Sequence, residues 1–205
     1  MATKGKVKEK KDPENVRIAG LQRVRMRVPI KGLSPLLCNK FSDRQKDKIE
    51  AKQQKESSVA CGREKRNPDQ EFKDSLYKME DGRYGFPASG FKKAMVSAAG
   101  FTGGQLKKTT MRGAFHIVGD MAAIKGSPRQ HTSTVRLKNG AADMRYRAIF
   151  DEWETELDVL YNESVISKEQ IIQLIHLAGF SVGVGDWRPE RSGSFGMFDV
   201  KQGKE

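Results

Sequence analysis

The residues best equipped for chemistry lie between Gly179 and Val200. This stretch reads Gly-Phe-Ser-Val-Gly-Val-Gly-Asp-Trp-Arg-Pro-Glu-Arg-Ser-Gly-Ser-Phe-Gly-Met-Phe-Asp-Val. Gly183, Gly185, Gly193 and Gly196 punctuate it, and glycine lets backbone come close to a ligand or turn through positive φ. Arg188 and Arg191 supply planar guanidinium forks that bind phosphate and stack on bases. Trp187 offers a stacking surface. Such a mixture suits a sugar–phosphate chain. Two nucleotide-binding loops are excluded by element order. A helical pattern precedes the glycines and a strand pattern follows, the reverse of a dinucleotide-binding fingerprint. No Gly-Lys-Ser/Thr opens a helix, as a Walker A loop requires. The plain alternative is a helix-to-strand connection rich in turn residues. For Trp187, stacking on a base and pinning the loop to the core both stay open.

Further cations fall on elements that can present them. Arg17 to Ile30 alternates, with Val24, Met26, Val28 and Ile30 on one side and Arg23, Arg25 and Arg27 on the other. That is a strand with a buried face and a basic face. Its arginines can be solvated or can touch phosphate. At Pro87 and Ser89 a helix starts, with Phe91, Ala94, Met95 and Ala98 as its apolar stripe. Lys92 and Lys93 lie off that stripe in the first turns, where a helix N-terminus already attracts anions. From Ser133, two alternating runs flank Asn139-Gly140, a two-residue hairpin signal. Arg136, Lys138, Arg145 and Arg147 are assigned to its outward side, with Tyr146 and Phe150 opposite.

Other chemistries find little support. The 205 residues hold three histidines (His116, His131, His176) and two isolated cysteines, Cys38 and Cys61. No metal-ligand spacing joins them, so free thiols in a reducing cytoplasm are expected, with no metal and no cofactor. Net charge is +12 and charged residues make up 31% of the chain. That excess calls for a polyanionic partner. No apolar run approaches the ~20 residues of a membrane span, so the expectation is a cytoplasmic protein without membrane association.

The remaining elements position these groups. Residues 1–15 form a lysine-rich, flexible tail, and residues 201–205 a second tail. Residues 16–200 read as one domain. Residues 38–70 are a polar, lysine-rich inserted loop, and residues 126–150 are the hairpin excursion. A short helix is expected at Pro68–Met79, loop at Gly100–Thr110, and strands at Met111–Val118 and Met121–Ile124. Trp153–Tyr161 alternates apolar residues with Glu154, Glu156 and Asp158, a strand with an acidic outer face. Ser167-Lys168-Glu169-Gln170 is a capping box. It opens a helix with the stripe Ile171, Leu174, Ile175 and Ala178, stopped by Gly179. His176 is expected to pack beside that stripe. Phe195–Val200 is the final strand. Without its insertions the order is βαββαβ, an α+β fold of the ferredoxin-like or RRM-like kind.

Three pieces of this order resemble the RAMP superfamily of CRISPR-associated proteins. Leu33-Ser34-Pro35-Leu36 after the first strand resembles that family's opening strand with small-x-Pro-Leu. Phe86-Pro87-Ala88-Ser89-Gly90-Phe91-Lys92-Lys93-Ala94 is similar to its Pro-x-Ser-x-aliphatic-Lys-Gly-Ala helix start, with Lys93 where the family favours glycine. Gly183 to Phe198 resembles its C-terminal glycine-rich loop ending in Gly-x-Phe. The resemblance spans roughly 100 residues and is greatest to the backbone subunit of effector complexes. It implies a modified RNA-recognition fold with a projecting hairpin, copies of which line up along a guide RNA. A stand-alone relative in a phage or other mobile element would carry the same residues.

The expectation is therefore a non-enzymatic protein that binds single-stranded RNA or DNA and assembles side by side along the strand. Candidate contacts are Arg23, Arg25, Arg27, Lys92, Lys93, Arg136, Lys138, Arg145, Arg147, Gly185, Trp187, Arg188 and Arg191. The resemblance also implies two alternatives. One is a RAMP-type RNA endonuclease: no histidine precedes His116 to act as the usual base of one branch, while Asp43 and Asp47 occupy the loop used by another. The other is a mimic that caps an effector assembly.

Overall fold

A strand whose inner face is aliphatic and whose outer face is basic sets the frame. It is β1 (Arg23–Gly32), with Val28 and Ile30 buried and Arg23, Arg25 and Arg27 exposed. After it come β2 (Leu36–Leu37), α1 (Pro68–Ser75), β3 (Gly85–Pro87) and α2 (Ala88–Ala98). Then follow α3 (Lys108–Ala114), β4 (Phe115–Ile117), β5 (Met121–Ala123), β6 (Pro128–Arg136) and β7 (Ala142–Phe150). The chain closes with β8 (Glu154–Asn162), α4 (Lys168–Ser181) and β9 (Phe198–Val200). The computed structural model describes residues 20–41, 50, 67–136 and 140–201. The 1–15 tail, most of the 38–70 insertion, Lys138 and residues 202–205 lie outside them.

Four strands make the main sheet in the order β4-β8-β1-β9, every neighbour antiparallel. With α2 after β1 and α4 after β8, this is the βαββαβ core expected from the sequence, with its first strand between the third and fourth. The two helices pack on each other, and α4 also packs on β9. Phe91 of α2 sits at the centre, its ring 5.6 Å from Phe198 and 6.4 Å from Trp153. The apolar stripes read from the sequence are all buried: Phe91, Ala94, Met95 and Ala98 on α2, and Ile171, Leu174, Ile175 and Ala178 on α4. The Ser167–Gln170 capping box is formed.

Two excursions build outward from this core. The hairpin β6–β7 joins β2 in a three-stranded sheet, while β3 and β5 pair alone. Its strands run longer than the alternation after Ser133 implied, beginning at Pro128. Cys38 follows β2 as a free, buried thiol, which burial pushes up to about 12. Cys61 lies outside the described residues. Among the described residues no helix is long and apolar enough to cross a membrane.

Several expectations are corrected. The segment read as one strand from Met111 is half helix: α3 runs to Ala114 and only Phe115–Ile117 is strand. Met111, Ala114 and Phe115 are all buried, so i, i+3, i+4 spacing rather than alternation was the true signal. The final strand begins at Phe198, not Phe195. His176 is exposed on α4 and bonded to Asp199 rather than packed beside the stripe. Gly179 does not stop α4, which continues to Ser181.

Gly179 is instead the point where helix and strand touch. A Cβ there would sit 1.7 Å from the Phe198 carbonyl oxygen, so only glycine lets β9 lie against α4. Gly179→Ala should force the strand away and cost on the order of 3 kcal/mol. At about 2–4 °C per kcal/mol for a chain of this size, the melting temperature falls by roughly 6–12 °C, readable by calorimetry.

Candidate nucleic-acid interface

The glycine-rich loop is held by the segment that follows β1. Gly196 N–H donates to Pro35 O at 2.7 Å, Asp186 N–H to Leu37 O at 2.9 Å, and Leu33 N–H to Met197 O at 2.8 Å. Met197 N–H donates to the Ser34 hydroxyl at 2.9 Å, and Trp153 Nε1–H to Ser34 O at 2.9 Å. Inside the loop, Val184 N–H reaches Gly196 O at 2.9 Å. Two stretches more than 140 residues apart in sequence are thus bonded backbone to backbone. Gly185 is demanded here by packing: its φ is +83°, and a Cβ would lie 2.6 Å from Leu37 O.

This anchoring turns the loop toward α2 and leaves a groove of about 820 Å³ between them. Lys92, Lys93, Val96 and Ser97 of α2 form one wall, and Gly185, Asp186, Arg188, Glu190 and Arg191 of the loop form the other. Asn39, Tyr77 and Phe86 line it as well. Arg112 of α3 also lines the groove. It is absent from the sequence-based candidates because Met111–Val118 reads as strand; the apolar i, i+3, i+4 spacing of Met111, Ala114 and Phe115 is the signal that places Arg112 on a helix. Five cations line the groove against two carboxylates, Asp186 and Glu190.

Both carboxylates are already engaged. Asp186 accepts from Arg147 Nη1, from Asn39 Nδ2 at 3.3 Å and from Trp187 N–H at 3.0 Å. Glu190 accepts from Arg188 Nη2 at 2.6 Å and Nε at 3.1 Å, while Arg188 Nη1 donates to Gly185 O at 3.3 Å. Partial burial pushes the Glu190 carboxyl up, but Arg188, a hydrogen bond from Ser97 and the charge of Arg191 together hold it below the ordinary carboxylate value. Lys92 Nζ lies 3.0 Å from His116 Nδ1. Among the described residues no group of three metal-ligating side chains comes together.

Of the residues singled out from the sequence, the groove gathers Lys92, Lys93, Gly185, Arg188 and Arg191. Trp187 stands beside it, φ +55° and 58% exposed. Its indole does not pin the loop to the core, which leaves the surface of its ring available. Arg23, Arg25 and Arg27 are elsewhere, on the outer face of the main sheet. There Arg25 makes a two-pronged pair with Asp158, at 2.7 and 2.5 Å, and Arg27 Nε is 3.9 Å from Glu156. The Arg25 hydrogen bonds hold the Asp158 carboxyl below its usual range. This contribution is therefore present at neutral pH and is lost only as pH falls through that lowered value. The acidic face of β8 answers the basic face of β1.

On the hairpin, Arg136 is exposed, and Arg145 Nε is 3.4 Å from Asp143. Lys138 lies outside the described residues. Arg147 corrects the expectation of an outward contact. Its side chain is only 10% exposed, bonded to Asp186, and its Nε has no partner among the described residues. The β7 end of the hairpin is folded over β2, so Ala148, Ile149 and Phe150 are buried too and the arginine goes under the glycine loop. A ring contact between His131 of β6 and Phe195, 5.8 Å apart, adds a second tie.

No protein-family model matches the chain, and no curated protein matches it at a significant level. Among solved structures, it is similar to a chain in the cryo-EM structure of the type III-B Cmr-beta bound to cognate target RNA. Identity is 12%, TM-score 0.56, and the match covers 88% of this chain and 59% of that one. The chain thus spans under two thirds of that neighbour's length. It also matches Cmr6 from Pyrococcus furiosus at 10% identity and TM-score 0.46, over 88% of this chain and 98% of that one. The first likeness establishes the fold, the one expected from the resemblance to the RAMP superfamily.

The Arg147–Asp186 pair gives a direct test of how the loop is held. Asp186→Ala should leave a buried guanidinium unpaired and cost about 2–4 kcal/mol. Arg147→Met combined with Asp186→Asn, which removes both charges, should recover much of that loss in a denaturant melt.

Proposed function

We propose that this protein binds single-stranded nucleic acid, RNA in preference, by running the sugar–phosphate chain along the groove between α2 and the glycine-rich loop. The observation that carries this reading is convergence: lysines from one helix and arginines from a distant loop line a single channel. Phosphates would lie against Lys92, Lys93, Arg112, Arg188 and Arg191, and Trp187 would stack a base at the channel's edge. The choice of RNA is supported by the neighbour of the same fold that was solved with its target RNA.

In this reading the protein is a non-catalytic subunit, and copies assemble side by side on one strand. The hairpin, with Arg136 at its exposed end, would reach the adjacent nucleotide or copy. The outer sheet face takes no major part, since its Arg25 and Arg27 are answered by Asp158 and Glu156.

Two measurements test this. Affinity for an oligoribonucleotide should fall with salt at a log–log slope of roughly −3, as expected for four to five neutralised phosphates on a single strand. Lys93→Ala with Arg191→Ala should weaken binding equally across sequences and flatten the slope by about 1.4. Arg25→Ala with Arg27→Ala should change affinity little. The reverse pattern would move the interface to the sheet, and a flat salt response would remove nucleic acid as the partner. The oligonucleotide should stay intact throughout; its cleavage, abolished by Asp43→Ala or Asp47→Ala, would establish the endonuclease instead.

A further inference from the structure

One carboxylate sits across the groove and takes the donors that a phosphate would use. Glu190 Oε2 receives both prongs offered by Arg188. Ser97 on the opposite wall and the charge of Arg191 also favour its ionised form. An arginine fork of this kind, with a hydroxyl and a second guanidinium nearby, is what proteins use to hold a backbone phosphate. An ordinary surface pair would leave its arginine available at little cost. Here the same arginine is further held by its third contact, Nη1 to Gly185 O at 3.3 Å.

We infer that Glu190 is an internal stand-in for a strand phosphate: it occupies the seat at Arg188 until a nucleic-acid strand displaces it. This rests on the nucleic-acid reading above and adds a selection rule to it. A lone phosphate or mononucleotide must compete with a carboxylate tethered at high local concentration, and fails. A strand wins because its other phosphates are bound at the same time by Lys92, Lys93 and Arg191. Displacement also bears on the ion count. A phosphate that replaces the carboxylate at Arg188 gives up its condensed cation, but the freed carboxylate gathers one in solvent, so the exchange adds little to the salt slope.

The test compares wild type, Glu190→Gln, Glu190→Ala, Arg188→Ala and Glu190→Gln/Arg188→Ala in fluorescence anisotropy with labelled oligouridylate, across a salt series. Melting temperatures confirm that each variant is folded. Glu190→Gln should bind roughly two- to tenfold tighter at low salt, with a log–log slope steeper by about 0.7. Glu190→Ala should move in the same direction, and the gain should vanish when Arg188 is absent. Uridine monophosphate should compete better against the Gln variant than against wild type. Equal or weaker binding by both Glu190 variants, with a wild-type slope, overturns the inference and leaves the groove standing: Glu190 would then only orient Arg188. Failure of wild type and all variants to bind at any salt overturns the groove as well.

Discussion

The groove between α2 and the glycine-rich loop depends on backbone contact between that loop and the segment following β1. The hydrogen bonds from Gly196 to Pro35 and from Asp186 to Leu37 are main-chain bonds, and they close only because no side chain intervenes. At Gly185 a methyl group would meet the Leu37 carbonyl, and at Gly196 it would meet the Val184 carbonyl at 1.7 Å. An exposed loop of this length ordinarily samples many shapes. Docked this way, it carries Arg188 and Arg191 at a fixed distance from α2, and two weak cationic sites become one channel.

The same docking explains what could be read from the sequence. Local periodicity identified the inner face of β1, both helical stripes and the capping box, because each is decided by neighbours within about two helical turns. Two of the stretches resembling RAMP proteins line the groove and the third anchors its loop, although nothing in their spacing says that they touch. What escaped was set by partners far along the chain. Arg147 alternates like its exposed neighbours, yet it is buried because the end of β7 lies under the loop. Arg25 and Arg27 read as a basic surface until β8 is laid beside them. Arg112 was lost with the short helix that carries it, a seven-residue element too brief for its period to stand out against a strand pattern.

Charge is therefore distributed with more discipline than the net value of +12 suggests. On the main sheet, positive and negative residues face each other across adjacent strands, and the hydrogen bonds of Arg25 draw the Asp158 carboxyl toward ionisation. In the groove the cations outnumber the carboxylates. A long-range field from a basic chain attracts any polyanion and decays within a Debye length of about 8 Å at physiological salt. The local imbalance lies between α2 and the loop, where five cations face two carboxylates.

The buried arginine beneath the loop has a mechanical meaning as well. Arg147 lies on β7 five residues from Ala142, which at strand rise is an arm of about 17 Å. Its guanidinium grips Asp186, and on the companion strand His131 bears on Phe195. The hairpin is therefore not a free flap on a swivel but a lever clamped at its fulcrum to the loop wall of the groove. A push on its far end is delivered to the residues beside Gly185 instead of being absorbed in a loose joint.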